Sequence, residues 1–130
     1  AASNNDLDML GELRSAALLA KGVADDCLAV DAFTALEMAT ICSARALGLE
    51  DSIGSIRKGK QADIVAIDLG ELETQPLHDP VSQLVYSATR NQVSDVWVAG
   101  KHLMRSRELL TINETEVKLN AEKWRIKLQQ

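Results

Sequence analysis

The segment from Gly54 to Asp68 constrains this chain more than any other. It reads Gly54-Ser55-Ile56-Arg57-Lys58-Gly59-Lys60-Gln61-Ala62-Asp63-Ile64-Val65-Ala66-Ile67-Asp68. Lys58-Gly59-Lys60 supplies a tight turn, because only glycine takes a positive φ without steric cost. Ile64 to Ile67 then runs apolar with no alternation, which predicts a strand over Ala62–Asp68 covered on both faces. Val93 to Val98 ends at Ala99-Gly100 and predicts a second strand of the same sheet. Both strands are expected to be largely buried. His102 to Met104 begins the return strand, and Leu109-Leu110-Thr111 is read as resuming the ladder.

Helical signals flank these strands. Asn5 or Asp6 can cap a first helix whose Leu10, Leu13, Ala17 and Ala20 share a face, and Lys21-Gly22 would end it. Gly11 lies inside that helix at a cost of about 1 kcal/mol relative to Ala, which predicts a compensating close contact. Asp31 caps a second helix over about Ala32 to Leu47, ended by Gly48. Its stripe of Leu36, Ala39, Thr40, Ser43 and Leu47 is mostly small and permits close packing. Asp79-Pro80 reads as cap and first position of a short helix reaching Ser87. Asn113 with Glu116 three residues on forms a capping box, and Ile112 with Val117 a hydrophobic staple. The helix that follows carries Val117, Ala121, Trp124 and Leu128 on one face, so docking through Trp124 is expected.

The bulk numbers exclude several functions. The chain has 130 residues, 46% apolar and 25% charged, which suits one small domain of ordinary soluble composition. Net charge is −5 and the longest basic stretch is Arg57-Lys58-Gly59-Lys60. A nucleic-acid surface is therefore not expected. No apolar run is long enough to span a bilayer, and the opening residues show no signal-peptide pattern. Cys27 and Cys42 belong to no Cys-x-x-Cys pair and read as reduced thiols of a cytoplasmic protein. The chain opens Ala1-Ala2-Ser3 without Met, and it is read as a piece of a longer polypeptide.

Catalytic chemistry is scarce in these residues. His78 and His102 sit in neither a His-x-His nor a His-Glu-x-x-His arrangement, so no metal ligand is assigned. His78 reads as part of a helix entry and His102 as an ordinary strand residue. Asp63 and Asp68 lie five residues apart on an extended segment. That spacing is roughly 17 Å, too far for one acid–base pair. No catalytic residue is assigned.

The pattern Gly-Ser-Ile-x-x-Gly-Lys-x-Ala-Asp-Ile-Val-x-x-Asp resembles the segment by which metal-dependent amidohydrolases return from their catalytic barrel to a small β-sandwich. Ala1 to Met9 is similar to the stretch after the last barrel strand in the subgroup that deaminates 5-methylthioadenosine and S-adenosylhomocysteine. Ala39-Thr40 with Ala44 to Leu49, His78 to Tyr86, and Val96 to Lys101 resemble later parts of the same family in the same order. One departure is Ala99, where relatives often carry Asn before the turn glycine, and it points to a different turn type there.

The resemblance implies an α/β fold in three parts. Residues 1–50 would be the last helical part of a (β/α)8 barrel, 51–112 the C-terminal strands of an accessory β-sandwich with a short inserted helix, and 113–130 a terminal helix. It implies a divalent metal, zinc or similar, in the parent enzyme, held by residues upstream of Ala1. The metal would lower the pKa of a bound water that attacks the purine. This chain alone would bind no metal and be inactive. Only Ser3, Asn4 and Asn5 would lie near the small-molecule substrate. The implied partner is the missing N-terminal portion, with a homo-oligomer possible and no nucleic acid or membrane. Two alternatives stand: another ring hydrolase such as a triazine chlorohydrolase or guanine deaminase, or a stand-alone non-catalytic module.

Overall fold

The computed structural model describes residues 5–129. Helix α1 (Met9–Ala24) is capped by Asp8, not by Asn5 or Asp6. The Asp8 carboxylate accepts from the Gly11 amide at 3.0 Å. A Cβ on Gly11 would stand 3.2 Å from that carboxyl group, so the close contact expected there is with the cap itself. The helix runs past Gly22 and stops at Asp25, whose φ of 50° is left-handed. Lys21 instead secures the following loop, its Nζ donating to the Ala29 and Val30 carbonyls at 2.7 and 2.8 Å.

Asp31 caps α2 (Ala32–Glu37) as predicted, accepting from the Thr34 amide at 2.7 Å. A π-helical turn (Met38–Cys42) joins it to α3 (Ser43–Ala46). In this widened stretch Thr40 Oγ1 donates to the Leu36 carbonyl and Ser43 Oγ to that of Met38, each at 2.6 Å. Hydroxyls that bond back along a helix in this way compete with its own ladder. The helix ends in a Schellman motif: Leu49 N–H reaches the Ala44 carbonyl at 2.9 Å and Gly48 N–H reaches Arg45 at 3.0 Å.

Helix α4 (Pro80–Tyr86) starts at Asp79 with Pro80 in its first turn. The Ser82 hydroxyl, and then its backbone N–H, hold the Asp79 carboxyl below the usual carboxylate range. A lowered folded-state pKa means that this cap stabilises the fold above the unfolded value of about 3.9. Its contribution is lost as pH falls through the folded value. Acid unfolding followed by far-UV circular dichroism is expected to be shallower in Asp79→Asn, which keeps a cap that does not titrate. An unchanged acid limb would argue against this role.

Helices α1, α2 and α4 pack around Leu13, Ala17, Ala35 and Val85, with Val30, Ala32, Ala39 and Tyr86 partly covering them. Among the described apolar residues only these four, Ala44 and Ala88 are buried. Four of those six are alanines, so little apolar volume is enclosed.

The sheet is antiparallel, in the order β1 (Ile64–Ile67), β2 (Val93–Val98), β3 (Lys101–Arg105) and β4 (Glu108–Leu109). Ile64 faces Trp97 and Val65 faces Val96 across the first pair. The two apolar runs are thus strands of one sheet, as predicted. They are not largely buried: Val65 is 53% exposed, Val98 is 47% exposed, and the rest are half-buried. Ile64, Ile67, Val93 and Val96 border an open space between sheet and helices and are only partly covered. The resumed ladder is confined to Glu108 and Leu109, and does not extend to Thr111.

Ala99 and Gly100 both take positive φ, 49° and 77°. That is the type I′ hairpin geometry, so alanine does not change the turn type. The Asp63 carboxylate accepts from the Ala99 amide at 2.6 Å and the Ala62 carbonyl from Gly100 at 3.0 Å, which holds the strained residue. A second turn, Ser106-Arg107, takes φ of 45° and 68° with no glycine. There the Arg107 guanidinium donates to the carbonyls of Arg90, Asn91 and Val93.

Helix α5 (Glu114–Leu128) begins at the predicted cap, with Asn113 accepting from Glu116 N–H at 3.2 Å. The predicted docking does not occur among the described residues. No α5 side chain is buried, and Trp124 is 59% exposed with Lys127 over its ring. The apolar stripe is present, and Val117, Trp124 and Leu128 on it are all more than half exposed. In a Trp97→Phe background, at concentrations low enough to keep the chain monomeric, Trp124 fluorescence is expected to be readily quenched by acrylamide. Strong protection in the chain alone would show a docked helix.

Candidate functional site

An open groove of about 780 Å³ separates the helices from the sheet. Leu10, Leu13 and Leu36 line one wall, and Ile64, Val93 and Val96 the other. Leu7, Asp8 and Met9 border it, so the chain after Asn5 runs directly along the groove. Arg90 also lines it and donates to Asp6 in an ion pair. That carboxylate holds the Arg90 guanidinium pKa above its ordinary value. The groove is mostly apolar, and the hydroxyls of Thr40 and Ser43 on its wall donate to backbone carbonyls of their own helix.

The long turn-and-strand signature proves to be the scaffold of this groove. Gly54 has φ +83° and lies against the second helix. A Cβ there would meet the Ala44 Cβ at 2.6 Å and the Ile41 Cα at 3.1 Å. Ile41 and Ala44 stand beside the predicted stripe of Leu36, Ala39, Thr40, Ser43 and Leu47, of which only the Thr40 carbonyl, at 3.2 Å, meets the added Cβ. Lys60 donates to the Glu50 and Ile53 carbonyls, Gln61 N–H to that of Ser52, and Asp63 accepts from the hairpin turn. Asp68 accepts from the Gly70 amide at 2.8 Å. Asp63 and Asp68 thus serve separate backbone contacts.

Of the residues expected near a substrate, Ser3 and Asn4 lie outside the described residues, and Asn5 is exposed in a bend. His78 is exposed in the loop before α4. His102 is engaged elsewhere. Its Nε2 lies 3.0 Å from Asp95 Oδ1 and its ring stacks on Trp97, centroids 4.4 Å apart. The Ser94 hydroxyl, and after it His102, hold the Asp95 carboxyl below its usual range. Sequence reasoning missed this trio. Its signal was the pairing of Trp97 with His102 across the Ala99-Gly100 turn.

Among the described residues no group of three or more His, Cys, Asp or Glu side chains could hold a metal ion. Cys27 and Cys42 are free and exposed. No helix among them is long and apolar enough to cross a membrane.

A profile of the amidohydrolase family matches residues 1–103. The chain belongs to the amidohydrolase family. It is 56% identical over 98% of its length to a protein of Teredinibacter turnerae named 5-methylthioadenosine/S-adenosylhomocysteine deaminase, and covers 29% of that relative. A protein of the same name from Saccharophagus degradans is 44% identical over 99% of the chain, again with 29% of the relative covered. Among solved structures, a zinc-bound adenosine deaminase from Xanthomonas campestris superposes with a TM-score of 0.95 at 55% identity. The match covers 98% of this chain and 29% of that one. Atrazine chlorohydrolase from Arthrobacter aurescens, complexed with zinc, gives 0.80 at 28% identity, covering 88% of this chain and 25% of its own. This amidohydrolase chain therefore spans under a third of the length of these relatives.

Proposed function

We propose that this chain is the C-terminal part of a zinc-dependent deaminase acting on 5-methylthioadenosine or S-adenosylhomocysteine in the cytoplasm. The observation that carries this reading is the 56% identity, over 98% of the chain, to a relative of that name. The high similarity to a zinc-bound adenosine deaminase supports both the metal and the purine substrate. The chlorohydrolase likeness is weaker, at 28% identity over less of the chain, and makes a triazine the second choice.

In this reading the groove marks where the rest of the enzyme packs. The helices before it would be the last of the catalytic barrel, and the sheet part of the accessory sandwich. Residues 1–50, 51–112 and 113–130 would then be barrel, sandwich and terminal helix. Ser3, Asn4 and Asn5 would lie near the substrate, because the resemblance puts them just after the last barrel strand, at the mouth where such barrels place their sites. The described residues do not fit a catalytic zinc, which needs about three protein ligands. His102 is committed to Asp95 and Trp97, and His78 has no ligating company. On this reading the ligands belong to the upstream polypeptide.

The test is to assay the full-length enzyme on a panel of purine nucleosides and triazines. Preferred deamination of 5-methylthioadenosine or S-adenosylhomocysteine is expected. Preference for a triazine, or no hydrolase activity on the panel, would overturn the reading.

A further inference from the structure

Val117, Ala121, Trp124 and Leu128 of α5 are spaced by four, three and four residues. That spacing is the seam along which two helices pack against each other. All four residues are exposed, Val117 by 54%, Trp124 by 59% and Leu128 by 81%. The amidohydrolase profile ends at residue 103, whereas the relatives named as deaminases match 98% and 99% of the chain. α5 therefore lies outside the stretch matched by the family profile and inside the stretch shared with these relatives.

The stripe is self-complementary in one orientation. Laid antiparallel about a two-fold axis between Ala121 and Trp124, Ala121 of one copy meets Trp124 of the other, and Val117 meets Leu128. Each smaller side chain faces a larger one, and Ala121 leaves room for the indole. Charge agrees with this. The first turn is acidic, with Glu114 and Glu116, and the last turn is basic, with Arg125 and Lys127. Antiparallel pairing sets Glu116 of one copy near Lys127 of the other, and symmetry repeats the pair. On the opposite flank Lys118 and Arg125 are already paired with Glu114 and Glu122 of their own helix, at 3.3 and 2.6 Å. Parallel pairing would instead oppose like charges at both ends and set indole against indole. We propose that α5 is a dimerisation helix, whose Val117–Ala121–Trp124–Leu128 stripe packs antiparallel on the same stripe of a second copy. A single helix pair is a small interface, in the size class of transient complexes. A dimer that dissociates on dilution is therefore expected.

The test is sedimentation equilibrium of the full-length enzyme over a concentration series, with the Tm of the dilute monomer measured for each variant. Wild type is expected to pass from dimer to monomer on dilution. Trp124→Asp should raise the dissociation constant by about tenfold or more, because it removes the central aromatic anchor, and should leave the monomer Tm unchanged. Glu116→Lys and Lys127→Glu should each weaken the dimer by roughly threefold or more. The double charge swap should recover most of the wild-type affinity, since it restores both pairs with their signs exchanged. A wild-type enzyme that stays monomeric would overturn the inference, as would a dimer that Trp124→Asp leaves unchanged. A lowered monomer Tm in Trp124→Asp would also overturn it, by showing that α5 docks on the upstream part of its own chain. A double swap no tighter than the single variants would rule out the antiparallel pairing.

Discussion

Purified alone, this chain is expected to bind the dye ANS, to melt without a single cooperative transition and to associate at micromolar concentration. Its buried apolar set is six residues, four of them alanines. Leu7, Ile56, Val65, Leu119 and Trp124 are all more than half exposed. Small cores are marginal, and open apolar faces and strand edges recruit other chains. β1 is the end strand of its sheet, and its apolar edge is unpaired among the described residues. Size-exclusion chromatography with light scattering and a calorimetric melt would check this. A monodisperse monomer with one sharp transition would contradict it.

The second large effect is expected at Gly54, in the full-length enzyme where unfolding can be measured. Alanine there meets two penalties. The left-handed conformation costs about 1 kcal/mol. Forcing a methyl group to 2.6 Å from the Ala44 Cβ and 3.1 Å from the Ile41 Cα requires the loop or helix to move. Overpacking of this kind costs about 1–3 kcal/mol. Gly54→Ala should therefore destabilise by about 2–4 kcal/mol. Gly59 is the internal control, because its φ is +95° but nothing lies within 4 Å of an added Cβ. Gly59→Ala should cost only about 1 kcal/mol. Equal costs in denaturant melts would show that the packing of Gly54 on the helix contributes nothing.

Local signals were readable where the sequence carries its own chemistry. Asp31, Asp79-Pro80, Gly48 and Asn113 each mark a helix end by supplying a carboxylate, a preset φ, a left-handed residue or a side-chain amide oxygen, and each stands where the sequence placed it. Asp8 was missed because Asn5 and Asp6 offer the same capping chemistry a few residues earlier. Gly22 misled for the opposite reason: glycine permits a stop but does not force one, and the helix runs on to Ala24.

Burial was the least readable property. Unbroken apolarity from Ile64 to Ile67 implies two covers, but periodicity says nothing about which polypeptide supplies them. The same holds for Trp124, whose stripe was plain and whose partner surface is absent from the described residues. The His102–Asp95–Trp97 cluster and the Arg90–Asp6 pair depend on register and on contacts across the whole chain, which spacing alone does not encode.

The family signature reads as scaffold in the sequence and is scaffold in the structure. Its distinctive residues each serve the backbone: Gly54 allows a close approach, Gly59 makes a turn, Lys60 holds two carbonyls and Asp63 holds a hairpin amide. On the proposed reading, this chain completes a fold whose metal and acid–base groups lie elsewhere. That claim is tested most directly by measuring bound zinc and turnover of 5-methylthioadenosine for the chain alone and for the chain co-expressed with its upstream polypeptide. Neither metal nor turnover is expected alone, and both are expected together. Stoichiometric zinc or clear turnover by the chain alone would contradict the claim and return His78 and His102 to consideration as ligands.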